Sequence, residues 1–495
     1  MNLFMLLEMV AQADPDRVAV SNSTQRVTYA ELVGQAQRYA AALEDREVGA
    51  VCYLGINSPD AVALMFGASL AGVPYAPLNY RWTSEQIDEA VARITPAVVL
   101  TDEANRARVP QLPGVSWLEV PSRLPRSAVV PDEESPAVLL FTSGTSGTPK
   151  AALLRNRHLV PYVLETVPFL NADPDEAILV SVPPYHIAAI SSVLTSVYAG
   201  RRMVQLAAFD PEEWVRLAQN ERVTQAMVVP TMLNRILDLL EADGGGLPYL
   251  RHLSYGGGRM PAQVVERAMR LLPELDLVNA YGLTETSSTI TLLSPEDHRE
   301  AASSDDPEVR ARLGSVGRAL PSVTIEVRDD SGQSVAPGTV GEIWVRGDQV
   351  SGEYLSHRAT GSGGWFPTRD HGYLDVAGFL YLQGRADDVI VRGGENLSPV
   401  EIEDRLAEHD SVQEAAVVGV PDLEWGERVE AFVVPAEGAV VHEQELREWV
   451  RVALRSTRVP AAIHVVDELP YNETGKLLRR VLKARLTSAM STGAN

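Results

Sequence analysis

Residues 141–150 read Phe141-Thr142-Ser143-Gly144-Thr145-Ser146-Gly147-Thr148-Pro149-Lys150, directly after the apolar run Ala137 to Leu140. Hydroxyls, two glycines and one cation in so short a stretch have the chemistry of a phosphate cradle. Glycine lets backbone amides approach an anion, Ser and Thr hydroxyls rotate to donate, and Lys150 supplies a point charge. The spacing is not that of a Walker A loop, where Gly-Lys-Ser/Thr opens a helix. Alone, the stretch reads equally well as a solvated turn. Other residues must decide.

Further along, Asn279-Ala280-Tyr281-Gly282-Leu283-Thr284-Glu285 follows the apolar Leu275-Asp276-Leu277-Val278. Polar groups there are expected to emerge at the C-terminal end of a strand, where α/β proteins bind ligands. Thr284 can donate to a phosphate, and Glu285 is a hard oxygen ligand suited to Mg²⁺. Gly256, Gly257 and Gly258, after Tyr255, leave room for a flat base against the backbone.

Together with Tyr185-His186, the span Trp365 to Asp375 running into Gly384-Arg385-Ala386-Asp387, and Thr474-Gly475-Lys476, these stretches stand in a recognisable order. The chain resembles the adenylate-forming superfamily of acyl-CoA synthetases, peptide-synthetase adenylation domains and firefly-type luciferases, and is most like an AMP-forming acyl-CoA synthetase. The resemblance runs from about Thr28-Tyr29-Ala30-Glu31-Leu32 to Arg480. Its motifs are specific as a set and weak one by one.

The resemblance implies a two-step ligase that uses ATP, Mg²⁺ and CoA. A carboxylic acid is activated to acyl-adenylate and pyrophosphate, and the acyl group then passes to the CoA thiol. Lys476, Thr284, Glu285 and Lys150 are the implied catalytic residues, with Glu285 on the metal. ATP or AMP would be held by Thr142, Ser143, Gly144, Thr145, Ser146, Gly147, Thr148 and Lys150. Gly256 to Gly258, Asn279, Ala280, Tyr281, Gly282, Thr284, Asp370 and Arg385 complete that set, Asp370 taking the ribose hydroxyls. Tyr185, His186, Met227, Tyr255, Ser287 and Ser288 would meet the acyl group. Asp387 is the implied hinge, and Gly393, Gly394 and Trp425 would pass the pantetheine arm of CoA. The chain departs from the family at Gly258-Arg259, usually Ala-Pro, and at Arg369, usually glycine. Two other acceptor chemistries stay open: delivery of the adenylate to a carrier protein or separate transferase, and a luciferase-like oxygenation.

At 495 residues the chain exceeds what one core usually organises. Helix-period segments such as Tyr29 to Leu43 alternate with short apolar ones such as Ala97 to Thr101, and a second alternating block runs from Ala177 to Val278. This predicts stacked α/β layers with parallel sheets. β-rich pieces follow Gly317, and from Asp388 onward the rhythm is that of a small mobile α+β lid. The expected division is 1–386, a large ATP- and acyl-binding domain, and 387–495, the lid; residues 301–306 are expected to be an exposed loop. A net charge of −23 argues against nucleic acid or an anionic membrane as partner. The lone Cys52 excludes an internal disulfide and fits a reducing cytoplasm. The apolar Met1 to Val10 has no basic flank, so no signal peptide is expected, and with no run of eighteen apolar residues no membrane span is expected either. Whether the chain forms a homodimer is left open.

Overall fold

The structure, a computed structural model, describes residues 1–44, 46–109, 111–119, 123–125, 133–142, 150–258, 260–393, 395–422, 425–472 and 475–492. The chain forms two compact units, Met1–Thr324 with Val345–Phe366, and Ile325–Trp344 with Pro367–Asn495.

The first unit is built on two largely parallel sheets. One has nine strands, whose central members are His252–Gly256, Gln225–Val228, Ala177–Val180 and Arg202–Gln205, flanked on one side by Asp276–Leu283 and Ser288–Leu293. The other has six, with Ala50–Leu54 between Ala97–Thr101 and Tyr75–Leu78, and the hairpin Pro136–Thr142 with Lys150–Arg155 at one edge. A shared core draws Val51 and Tyr53 from the second sheet and Ile178, Val180 and Met203 from the first, with the helices Tyr29–Leu43 and Pro59–Ala71. Both helices start where the sequence says they should. Thr28 accepts from the Glu31 amide at 3.2 Å while the Glu31 carboxylate takes the Thr28 amide at 2.8 Å, a reciprocal cap. Pro59 sits in the first turn of the second helix, and Gly72, at φ 72°, closes it in the left-handed conformation.

The apolar N-terminus is a core helix, Leu3–Ala13, with Leu3, Leu6, Leu7 and Val10 fully buried. Among the described residues no helix is long and apolar enough to cross a membrane. The exposed loop expected at 301–306 is a different matter. Helix Pro295–Ser303 takes in its first three residues, Ala301 is fully buried, and the helix is capped by Ser294, whose hydroxyl accepts from the Asp297 amide at 3.1 Å. Ala301 belongs to the core that includes Leu253 and Leu277, and Ala302 packs against it, whereas 304–306 lie outside the helix, with Asp305 and Asp306 exposed.

The second unit carries most of a four-stranded sheet, ordered Val323–Arg328, Gly341–Gly347, Phe366–Leu374, Leu380–Arg385. It also carries a five-stranded sheet whose longest pairing is the antiparallel pair Val412–Asp422 and Gly426–Pro435. Helices Pro399–Ala407 and Glu443–Ala453 pack Ile402, Leu406, Leu446 and Val450 onto Val417, Val429, Ala431 and Val433. The whole is a mixed α/β fold.

Candidate active site

The cradle stretch begins and ends on rigid strands. Leu140 pairs with Ala152 and Thr142 with Lys150 across the antiparallel hairpin, and the Thr142 hydroxyl donates to the Lys150 carbonyl at 3.4 Å. Lys150 is exposed at the strand mouth. Ser143, Gly144, Thr145, Ser146, Gly147 and Thr148 lie outside the described residues, as do Arg259 and Gly394.

The second motif lies further inside the sheet than its composition suggests. Asn279 to Leu283 continue the strand Asp276–Leu283, and only Thr284–Thr286 turn out of it as one 3₁₀ turn. Two glycines let this strand pack: a Cβ on Gly256 would sit 2.2 Å from the Ala280 carbonyl oxygen, and one on Gly282 would sit 1.8 Å from that of Ser288. The Asn279 side-chain amide donates to the Ser315 carbonyl at 3.1 Å, so it fastens the strand end. Tyr281 is half-buried at the mouth.

Glu285 is held from both ends. Its carbonyl accepts from the Ser351 and Gly352 amides at 2.9 and 3.0 Å, and its Oε1 accepts from the Tyr354 hydroxyl at 2.5 Å. Tyr354 reaches it because segment 351–355 runs antiparallel to Lys150–Arg155. Leu153 donates to the Glu353 carbonyl at 2.8 Å, Leu355 to Ala151 at 3.0 Å, and the Arg155 guanidinium grips the Glu353 carboxylate bidentately at 2.9 and 2.6 Å. The motif glutamate and the cradle strand are thus tied through one segment. Among the described residues no group of three or more His, Cys, Asp or Glu side chains is placed to hold a metal ion. A single oriented carboxylate suits Mg²⁺, which takes one or two protein oxygens and completes its shell with phosphate and water.

The expected acyl-contact residues divide. Tyr185 is buried, edge-on to Tyr80 at 5.6 Å and tilted against His186 at 4.6 Å. His186 precedes helix Ile187–Tyr198; its Nε2 is buried without a partner, and burial, helped by Arg81, lowers its pKa to about 4. At neutral pH it is an uncharged imidazole. Ser287, at φ 56°, is fully buried with an unpartnered hydroxyl, while Ser288 donates to Ser191 at 3.0 Å. Met227 is half-buried on its strand. Tyr255 is fully buried in the core with Trp214, and its hydroxyl bonds to His298 Nε2 at 2.8 Å, so that group is engaged in the interior.

In the second unit, Asp370 and Arg385 face one another across adjacent strands and pair at 3.0 Å, with Asp370 buried. The Lys476 charge is felt by both. Burial first, then the Arg385 guanidinium, lower its pKa, while Asp370 opposes them. Lys476 sits on a tight turn whose ends are tied by Asn472: the Asn472 amide donates to the Lys476 carbonyl at 2.9 Å and its side-chain oxygen accepts the Lys476 amide at 2.8 Å. Gly475, at φ 69°, supplies the left-handed residue such a turn needs. Arg369, where the resembling family carries glycine, keeps the glycine conformation at φ 63° and pairs with Asp387 at 3.2 Å. Gly393, at φ 59°, donates its amide to the Trp425 carbonyl at 2.7 Å, and a Cβ there would press on the half-exposed indole at 3.1 Å.

Tyr354, Asn472 and Arg479 escaped the sequence reading. Asn472 stands two residues before the recognised Thr474-Gly475-Lys476. Tyr354 and Arg479 meet partners 69 and 76 residues away, and local pattern carries no signal for such contacts.

The match to known proteins agrees with this arrangement. Residues 7–355 match the AMP-binding enzyme family and residues 401–476 its C-terminal domain. Indoleacetate–CoA ligase of Aromatoleum aromaticum is 30% identical over 98% of this chain and 99% of its own length. Feruloyl-CoA synthase of Amycolatopsis is 32% identical over 96% and 97%. The structure of o-succinylbenzoate CoA synthetase from Bacillus subtilis, in complex with its acyl-adenylate intermediate, superposes with a TM-score of 0.84 at 29% identity, covering 97% of each chain. The chain belongs to the family of AMP-binding, adenylate-forming enzymes.

Proposed function

We propose that this chain is an AMP-forming acid–CoA ligase. A carboxylate oxygen attacks the α-phosphorus of ATP, the bond to the β-phosphate oxygen breaks, and pyrophosphate leaves. The CoA thiol then attacks the acyl carbon, loses its proton, and displaces AMP. The observation that carries this reading is the group in the second unit: a buried aspartate paired with Arg385, with the Lys476 charge within electrostatic reach of both. A carboxylate accepts two vicinal hydroxyls side by side, as a ribose presents them. A cation near it can draw an approaching carboxylate toward a phosphate and offset the charge that develops.

Thr284 donates to the phosphates, and Glu285, oriented by Tyr354, holds Mg²⁺. The metal supplies charge neutralisation on the phosphate oxygens. Thr142 to Thr148 and Lys150 act as the triphosphate clamp, and Gly256 to Gly258 with Tyr281 seat the adenine. Asp387 serves as the hinge between 1–386 and 387–495, and Gly393, Gly394 and Trp425 guide the pantetheine arm. The site of action is the cytoplasm.

The acid is bulky and aromatic. The relatives named for indoleacetate, ferulate and o-succinylbenzoate support this, as do the neutral His186 and the aromatic pair Tyr80 and Tyr185. Free CoA is favoured over a carrier protein because, of the four arginines Arg447, Arg451, Arg455 and Arg458 that could dock an acidic carrier, three already pair within the second unit: Arg447 with Glu443, Arg451 with Glu448, Arg458 with Glu401.

ATP–pyrophosphate exchange over a panel of carboxylic acids tests the first step. Thiolation with CoA, a pantetheinylated carrier or neither tests the second. Exchange with an aryl acid followed by CoA thioester is expected. Adenylate accumulating beside unused CoA would overturn the acceptor, and no exchange with any acid would overturn the whole reading.

A further inference from the structure

The turn Ala386–Asp388 leads from strand Leu380–Arg385 into the hairpin of Ile390–Arg392 and Glu395–Leu397, and its charges are matched one by one. Arg385 pairs with Asp370 at 3.0 Å, Asp387 with Arg369 at 3.2 Å, and Asp388 with Arg479 at 3.5 Å. The three pairs differ in what they join. Asp370 and Arg385 are register partners on neighbouring strands before the turn. Asp388 is joined to Arg479, which also grips Glu403 and the Val417 carbonyl, all of them after the turn. Of the three, only Arg369–Asp387 runs from the strand before the turn to its middle residue. A backbone rotation at Asp387 would leave the other two intact and stretch this one.

We propose that Arg369 is a positioning residue that acts through Asp387 and sets how readily the chain passes from adenylation to acyl transfer; the assignment rests on the ligase reading above. Arg369 departs from what its backbone favours. At φ 63° an L-residue crowds its own carbonyl, and glycine is the default. A long cationic side chain held in that conformation, with its guanidinium on the hinge carboxylate, is a latch. It is closed in the arrangement where Lys476 feels Asp370 and Arg385, which is the arrangement adenylation needs. The latch is weak by construction. The side chains are 60% and 38% exposed, so the pair contributes little, is screened by salt, and lets the hinge open.

Arg369→Gln keeps the long side chain and the strained backbone and removes the charge; Arg369→Gly removes both. In wild type and both variants, ATP–pyrophosphate exchange is compared with transfer from supplied acyl-adenylate to CoA, at low and high salt. Hydrogen exchange of the 386–392 amides is followed in the same samples without substrates. The transfer-to-adenylation ratio and the amide exchange rates should both rise by about twofold to fivefold in the two variants at low salt, the range of an exposed ion pair. Wild type should approach them at high salt. Unchanged ratio and exchange in Arg369→Gln overturn the latch, and a change confined to Arg369→Gly assigns the effect to backbone strain and overturns it too. A wild type that exchanges pyrophosphate with no acid overturns the ligase reading alone, and the amide exchange still decides the latch.

Discussion

Tyr354 donates its hydroxyl to Glu285 at 2.5 Å and so fixes which carboxylate oxygen of the motif glutamate is free. On the proposed ligase reading, the second oxygen is the one that would take Mg²⁺. Partners that orient a ligating carboxylate typically matter by 10- to 100-fold in metal affinity or activity. Tyr354→Phe removes one oxygen atom and keeps the ring stacked on His357. The Mg²⁺ concentration giving half-maximal pyrophosphate exchange should therefore rise about tenfold, with little change in thermal midpoint. An unchanged Mg²⁺ requirement would show that Glu285 is not the metal ligand.

Lys476→Ala should cut adenylation by about 10²- to 10³-fold, the usual cost of losing one preorganised charge-stabilising group. Transfer from supplied acyl-adenylate to CoA should fall far less. Because burial and Arg385 lower the lysine's pKa, adenylation should begin to fail at a lower alkaline pH than a solvated lysine would allow. Equal losses in both half-reactions of a folded variant would remove Lys476 from its role.

The chain shows where local and distant information part. Helix Tyr29–Leu43 and strands Ala97–Thr101 and Ala177–Val180 lie where periodicity puts them, because a reciprocal cap and alternating or continuous apolar runs are local properties. The first half of the stretch 301–306 misled because small residues resemble a loop, whereas the decisive signal was the Ser294 cap seven residues upstream of Ala301; the acidic second half is indeed outside the helix. Motif residues of the site were legible as a set, yet the groups that orient them were not. Tyr354 arrives by pairing 351–355 with a strand 200 residues earlier in the chain, and Arg369 holds a glycine conformation that composition alone argues against.

Acid stability should be governed in part by two buried imidazoles. Burial lowers His158 to about 3 and His186 to about 4, both below the ordinary value of 6.5. The unfolded chain then binds more protons than the folded one between about pH 6.5 and 4, so stability is full above that window and falls as pH drops through it. Each histidine contributes a slope approaching about 1.4 kcal/mol per pH unit. Denaturant titrations from pH 7 to 4.5 should show this slope, and His158→Gln should lower it by about 1 kcal/mol per pH unit. A variant with the wild-type slope would rule His158 out as a source.

Glu403 and Arg479 form a buried pair, 8% and 13% exposed, in which Glu403 also accepts the Val417 amide at 2.8 Å and Arg479 donates to the Val417 carbonyl at 3.2 Å. Arg479 follows Lys476 by three residues, so the pair anchors the chain directly after the lysine turn to helix Pro399–Ala407. Taking one partner from a buried pair leaves the other charge uncompensated and typically costs about 3–5 kcal/mol. Glu403→Gln and Arg479→Met should each destabilise the second unit on that scale, and the double variant should recover part of the loss. The recovery separates stability from function. A refolded double variant with its ion pair replaced by packing should still adenylate slowly, because Lys476 no longer leaves its turn along a fixed path. Full adenylation in that variant would show that the pair stabilises the second unit without positioning the lysine.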